Sequence, residues 1–406
     1  MTATVNAPET QYFQEEAAKR STLVARAKAL HPILFKNAMQ TEKDRRVVEE
    51  NIQALAEAGL FKTMVPKRYG GYEGSIRTHI EVTAAVAEAC GSSAWVVALT
   101  NVCAWFTGLF PERAQDEVFK NTPDARVAGV FSPSSDVKRV DGGLVVAGKW
   151  YWSSGCLHAD WALLGVREQD KDGVPLNQYL ALIPMSELSI EDTWFVAGMK
   201  GTGSNCVVAQ EVFVPEHRLL PMMKAVEGQY LTPFEDEVAY RAAFIPVAAL
   251  VLIGAQLGLA RAALAYVLEK APQRAIAYTS FKRQTDSVAF QIQVAKAAMK
   301  IETAHLHAYR AADDIDQAAF RGEYLDYKTR ARVRADTGYV AQYASDAINL
   351  LMTAHGAGSF AESSPMQRIW RDSNTAARHA IVHQPVAEEI YGKALLGAEN
   401  TVTPLV

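Results

Sequence analysis

The chain has 406 residues, with 41 Lys or Arg against 45 Asp or Glu. That near balance excludes the basic excess of a dedicated nucleic-acid binder, and the length calls for a large core shared by two or three packed regions. The four cysteines, Cys90, Cys103, Cys156 and Cys206, form no CxxC pair, which argues against a zinc site or disulfide framework and for a reducing, cytoplasmic setting.

The first third reads as helical. Residues 1–20 lack the apolar stretch of a secretory signal. Thr41-Glu42-Lys43-Asp44 has the form of a capping box, Val48, Ile52, Leu55 and Ala56 follow at helical spacing, and Gly59 is placed to end that helix. Residues 66–72 read as a loop. Further helices are expected over about His79–Ala89, from Ser92-Ser93 through Phe106, and after Pro111. The middle reads as strands. Residues 127–166 alternate apolar and polar around Asp141-Gly142-Gly143, a hairpin signal, and run through Trp150-Tyr151-Trp152-Ser153-Ser154-Gly155 into a strand at Trp161–Val166. Strands are also expected at 179–183, near Trp194-Phe195-Val196, and at 207–214 up to Pro215. Long helical segments then cover 244–270, 287–314 and 324–351, and a last helix starts near Pro365. The apolar run Ala242–Ala260 is nearly long enough to span a membrane, but Pro246 and Gln256 interrupt it, and a helix buried in a bundle explains it better.

No GxGxxG, P-loop or HExxH motif is present. His379 and His383 are four apart, so a helix would put them on one face. Three readings stand: a metal pair awaiting a third ligand, polar histidines of a cleft or core, or acid–base and substrate-binding groups. Ser153 and Ser154 are either turn formers or hydroxyls for a flat heteroaromatic cofactor beside the rings of Trp150, Tyr151 and Trp152. The glycines of His355-Gly356-Ala357-Gly358 either link helices or let backbone approach a phosphate.

Taken together, VPKRYGGYEG, GKWYWSSGCLHADWALLG, GMKGTGSNCVVAQEVFVPEHRLL and the HGAG loop resemble the acyl-CoA dehydrogenase superfamily over nearly the whole chain. Within it, GSSAWVVALTNVCAWF, AHGAGSFAESSPMQRIWRDSN and RDSNTAARHAIVHQPVAEEIYGKALLG are similar to the oxygenase components of two-component flavin-dependent monooxygenases, the 4-hydroxyphenylacetate hydroxylase-like group D. The resemblance implies an α+β, mostly α fold: a helical N-terminal domain (1–124), a β-barrel-like middle (125–225) and a C-terminal four-helix bundle (226–406), assembled as a homotetramer. The superfamily's dehydrogenases need a glutamate base; the two matching positions are Ala380 and Ala248, and neither can take a proton. Oxygenation is therefore favoured over an acyl-CoA dehydrogenase or oxidase with an unrecognised base, or a non-catalytic flavin-binding protein.

The implied chemistry uses FADH2 or FMNH2 from a separate NAD(P)H:flavin reductase. Oxygen adds at C4a to give a hydroperoxide, which hydroxylates a phenol- or indole-like substrate. By resemblance, Ser153 or Ser154 approaches flavin N5, Phe131 and Ser132 border the isoalloxazine with Trp152 beside them, and Arg274, Ser280, Gly356 and Gly358 bind flavin phosphates, partly from a neighbouring subunit. His379, and secondarily His383, orients or deprotonates the substrate, with Trp105 and Cys103 at the substrate position. Many aromatic hydroxylases of the group carry a histidine where this chain has Cys103. No metal, membrane or nucleic acid is implied.

Overall fold

A computed structural model describes residues 7–169 and 175–406. Seven helices come first among the described residues: α1 (Ala7–Ala29), α2 (His31–Lys36), α3 (Ala38–Asp44), α4 (Glu49–Glu57), α5 (Ile76–Ala87), α6 (Gly91–Thr107) and α7 (Glu112–Phe119). Ser75 caps α5, its side chain accepting from Thr78 N. In α6 every residue except Leu99 is buried, the condition of a helix enclosed on all sides. The capping box at Thr41 does not form. Thr41 lies inside α3, the chain turns at left-handed Arg45, and the Thr41 hydroxyl receives the Val48 N–H at the start of α4.

Eight strands follow among the described residues: β1 (Val127–Val130), β2 (Ser135–Val140), β3 (Gly143–Ser153), β4 (Trp161–Gln169), β5 (Pro175–Pro184), β6 (Ser189–Glu191), β7 (Asn205–Pro215) and β8 (Leu219–Pro221). They form two four-stranded sheets, ordered β1-β4-β5-β8 and β2-β3-β7-β6. Among the described residues only β1 and β4 pair in parallel. The β2–β3 hairpin turns at Asp141-Gly142, where Gly142 takes a φ of 76° that glycine adopts without strain. Leu144, Val146, Trp150, Leu164, Val166 and Val207 fill the space between the sheets. Trp150 Nε1 crosses that space to the Gly165 carbonyl at 2.8 Å. The strand expected at 194–196 is absent. Thr193 N and Trp194 N both donate to Asn205 Oδ1, so a side chain takes the place of a neighbouring strand, and the paired segment is β6 instead.

The remaining helices are α8 (Met222–Val226), α9 (Phe244–Leu250), α10 (Ile253–Lys270), α11 (Val288–Arg321), α12 (Tyr327–His355), α13 (Pro365–Ala376) and α14 (Gln384–Leu396). The apolar run is core: its most apolar window is 78% buried in the protein. It is broken between α9 and α10, and Pro246 sits in the first turn of α9, where its missing N–H has no helical partner to lose. The helix starting at Pro365 ends at Ala376, and α14 is separate. His379 and His383 therefore bracket a short 3-10 turn and do not share a helical face.

Candidate functional site

The site begins with a kink in β3. Pairing with β7 shifts register between Trp150 and Ser153, so Tyr151 and Trp152 bulge outward, and Trp152 is 71% exposed with a φ of 67°. A bulge of this kind re-aims the residues after it. Here it turns Ser153 and Ser154 inward, to 0% and 7% exposure. The two hydroxyls are not equivalent. Ser154 Oγ accepts from Trp95 Nε1 at 3.1 Å and meets Ser204 Oγ at 2.8 Å. Ser153 Oγ is buried without a hydrogen-bond partner among the described residues. A buried hydroxyl left unpaired is destabilising by about 1–3 kcal/mol, and it marks a place where a ligand atom can complete the site.

Opposite the serines, the Trp95 indole on α6 packs against the His379 imidazole, ring centroids 6.0 Å apart. His379 ends the turn after α13, and its Nδ1 accepts from Ile381 N at 3.3 Å. In the neutral ring Nε2 then carries the hydrogen and can only donate. Arg334 holds the same turn through Ile381 O. Protein crowds the ring on several sides although solvent reaches the residue. Desolvation first, and the Arg334 guanidinium second, push its pKa below the usual histidine range. His383 is exposed, without a side-chain hydrogen bond among the described residues, and its carbonyl starts α14.

Phe131, just past β1, lies 4.7 Å from the Phe106 ring and 6.3 Å from Phe244, while Ser132 is exposed. Trp105 is fully buried; it donates to Ala239 O at 2.7 Å and stacks on Tyr240. Cys103 is 2% exposed and lies against Gly129, where an added Cβ would sit 2.6 Å from its sulfur. Burial pushes its thiol up to about 12, so at neutral pH it is a packing group, not a base. Ala380 and Ala248 place no carboxylate at the positions where a dehydrogenase carries its base.

A second cluster gathers at the end of α12. Arg274 donates to His355 Nε2 at 2.8 Å and to His355 O at 3.3 Å. His355 Nδ1 is left buried and unpartnered among the described residues, and burial with the nearby Arg274 and Lys270 charges lowers the histidine's pKa. A guanidinium and an unpaired N–H are the donors an anion requires. Gly358 lies against the same guanidinium, where an added Cβ would be 3.2 Å away, and Gly356 takes a φ of 85°. Ser280 sits apart, on an exposed loop beside fully exposed Tyr278. An open cleft of ≈ 710 Å³ between α3, residues 195–200 and α13 contains none of these groups. Its Arg45 and Arg371 are already paired with Asp192 and Glu42.

Trp95, Ser204 and the loop that carries it were not legible as site residues in the sequence; the adjacency of a GSSAW helix and a GTGSN turn was their only signal. A helical N-terminal region, two packed four-stranded sheets and a C-terminal helical bundle have the architecture of the acyl-CoA dehydrogenase fold. Residues 24–119 match the acyl-CoA dehydrogenase N-terminal domain and residues 250–384 the acyl-CoA dehydrogenase C-terminal domain. The flavin-dependent monooxygenase oxygenase subunit HsaA of Rhodococcus jostii is 33% identical over 93% of this chain and 99% of its own. The oxygenase component of p-hydroxyphenylacetate 3-hydroxylase from Acinetobacter baumannii is 29% identical over 94% of this chain and 90% of its own. Among solved structures, XiaF from Streptomyces sp. in complex with FADH2 and glycerol superposes with a TM-score of 0.91 at 37% identity, covering 97% of this chain and 99% of that one. The chain belongs to the family of flavin-dependent monooxygenase oxygenase components within the acyl-CoA dehydrogenase superfamily.

Proposed function

We propose that the chain takes FADH2 from a separate NAD(P)H:flavin reductase and, with O2, hydroxylates an aromatic substrate of phenol- or indole-like chemistry. The observation that carries this reading is the buried, unpaired Ser153 hydroxyl beside Ser154, with Trp95 linking Ser154 to a histidine where a dehydrogenase would need a carboxylate. The XiaF complex with FADH2 supports the choice of flavin. When bound, reduced flavin reacts with O2 and supplies an electrophilic oxygen atom. Overall, substrate C–H, O2 and FADH2 become C–OH, water and FAD.

The protein's part is to bind, orient and keep the site dry. Ser153 and Ser154 are the hydroxyls that would hold the N5 side of the flavin ring. Phe131, Phe106 and Phe244 form an apolar wall that keeps water from the reacting atoms. His379 donates from Nε2 to an acceptor oxygen of the substrate, such as a phenol's hydroxyl oxygen, and so orients its ring. Arg274, His355 and the Gly356–Gly358 turn serve the flavin phosphates. A pyrophosphate held there is shared with a second copy of the chain, as the family resemblance implies. The copy that shares it would dock on α11, where Val288, Ile292, Met299 and Leu306 are 65%, 49%, 66% and 71% exposed along one face. We propose a homotetramer built on that face.

Two experiments test these readings. Purified protein is given photoreduced FAD, 18O2 and a panel of phenols and indoles; a hydroxylated product carrying 18O is expected. Stoichiometric hydrogen peroxide with no product from any panel member rules the reading out. For the assembly, Met299→Glu with Leu306→Glu should convert tetramer to smaller species in sedimentation velocity. An unchanged sedimentation coefficient would place the interface elsewhere.

A further inference from the structure

Ser154 lies in the middle of a hydrogen-bond chain whose direction its two ends impose. The Trp95 indole N–H can only donate, and it meets Ser154 Oγ at 3.1 Å. The Met199 carbonyl can only accept, and Thr202 Oγ1 donates to it at 2.9 Å. A hydroxyl has one hydrogen to give. Thr202, having given its own, accepts from Ser204 Oγ at 2.6 Å. Ser204 in turn accepts from Ser154 at 2.8 Å. The Ser154 hydrogen therefore points at Ser204, and its oxygen keeps only a lone pair for any other partner. Trp95, Ser154, Ser204 and Thr202 are 6%, 7%, 3% and 2% exposed, so bulk water does not scramble these directions. The far end is fixed as well: Met199 N donates to buried Asp372 of α13 at 2.6 Å.

We propose that Ser204 and Thr202 are positioning residues that make Ser154 an acceptor-only group, and that this biases the site toward reduced flavin. Reduced flavin bears a hydrogen on N5 and satisfies a lone pair. Oxidised flavin offers a lone pair there and meets another lone pair, which is repulsive. Ser153, with no partner of its own, can turn its hydrogen either way and supplies no such bias. The inference rests on the reading that the flavin ring lies against Ser153 and Ser154.

The test compares wild type with Ser204→Ala, Thr202→Val and Ser204→Thr. Anaerobic titrations give Kd for FADH2 and for FAD. In Ser204→Ala and Thr202→Val the Ser154 hydrogen is released, and the preference for FADH2 over FAD should fall about tenfold, the scale of one hydrogen bond. Ser204→Thr keeps a hydroxyl and should restore it. Equal weakening of both forms, or no change in the ratio, overturns the proposal. A second readout needs no flavin: the indole N–H resonance of Trp95, assigned with Trp95→Phe, should move in Ser204→Ala, because each link of such a chain polarises the next. An unmoved resonance overturns the chain's directionality. Thermal melts identify a variant that has lost its fold, and the near-isosteric Thr202→Val then carries the test. Failure here leaves wild-type hydroxylation intact, whereas failure of the functional reading appears as wild type without product.

Discussion

The imidazole of His379 illustrates how little a residue type alone decides. Its Nδ1 is committed to Ile381 N, so the neutral ring donates from Nε2, and its pKa is displaced downward. A donor and a base are separated by substitution. His379→Gln keeps an N–H near the Nε2 position but cannot take up a proton, whereas His379→Ala keeps neither. Product formed per flavin oxidised should fall about 10- to 100-fold in His379→Ala, with FADH2 affinity nearly intact, and His379→Gln should retain most of the coupling. Equal losses in the two variants would mean that the ring works as a base. The sequence singled out the serine pair by its aromatic neighbours and His379 by its resemblance, and the fold brings Ser154 and His379 to the two sides of Trp95. The inequality of Ser153 and Ser154 could not be read from the sequence, because it depends on a register shift against β7, some fifty positions along the chain. The same limit applies to Cys103, whose thiol is silenced by burial against Gly129, a neighbour that only the fold provides.

Among the elements, hydrophobic period located the long helices, whereas α1, α2, α8 and α14 were not singled out, and errors fell where partners outside the element decide. Thr41 looks like a cap and instead bridges two helices; residues 194–196 have strand composition but find Asn205 in place of a strand. Close helix packing was equally invisible. Gly258 of α10 lies so near α5 that an added Cβ would stand 2.1 Å from the Ala84 carbonyl oxygen, while Gly392 of α14 has nothing within 4 Å. Gly258→Ala should therefore destabilise the protein by about 3 kcal/mol through overpacking of backbone against side chain. Gly392→Ala should be neutral or stabilise it by about 0.5–1 kcal/mol, as expected for relief of a helical glycine. Urea unfolding of both variants checks the pair. Comparable effects would show that α10 can shift away from α5.

For the whole molecule, the N-terminal helices and the C-terminal bundle are joined by a buried carboxylate. Asp316 of α11 accepts from Ile76 N at 2.8 Å and Arg77 N at 3.0 Å, the first turn of α5. Burial, with Glu16 and Asp313 adding to it, raises its pKa to about 7, although the two N–H donors favour the anion. An acid whose pKa is higher in the folded than in the unfolded chain binds its proton more tightly when folded. Its contribution is fully present below the unfolded value near 4 and is lost as pH rises toward 7. The three-unit interval sets a ceiling on the order of 4 kcal/mol for that loss. Asp316→Asn removes the titration while retaining an oxygen acceptor for α5. Stability from urea midpoints should decline between pH 4 and 7 more steeply in wild type than in Asp316→Asn, and the two curves should run parallel above pH 8. Identical slopes across the lower interval would mean that this carboxylate is ionised in the folded protein and that its two amide partners outweigh its burial.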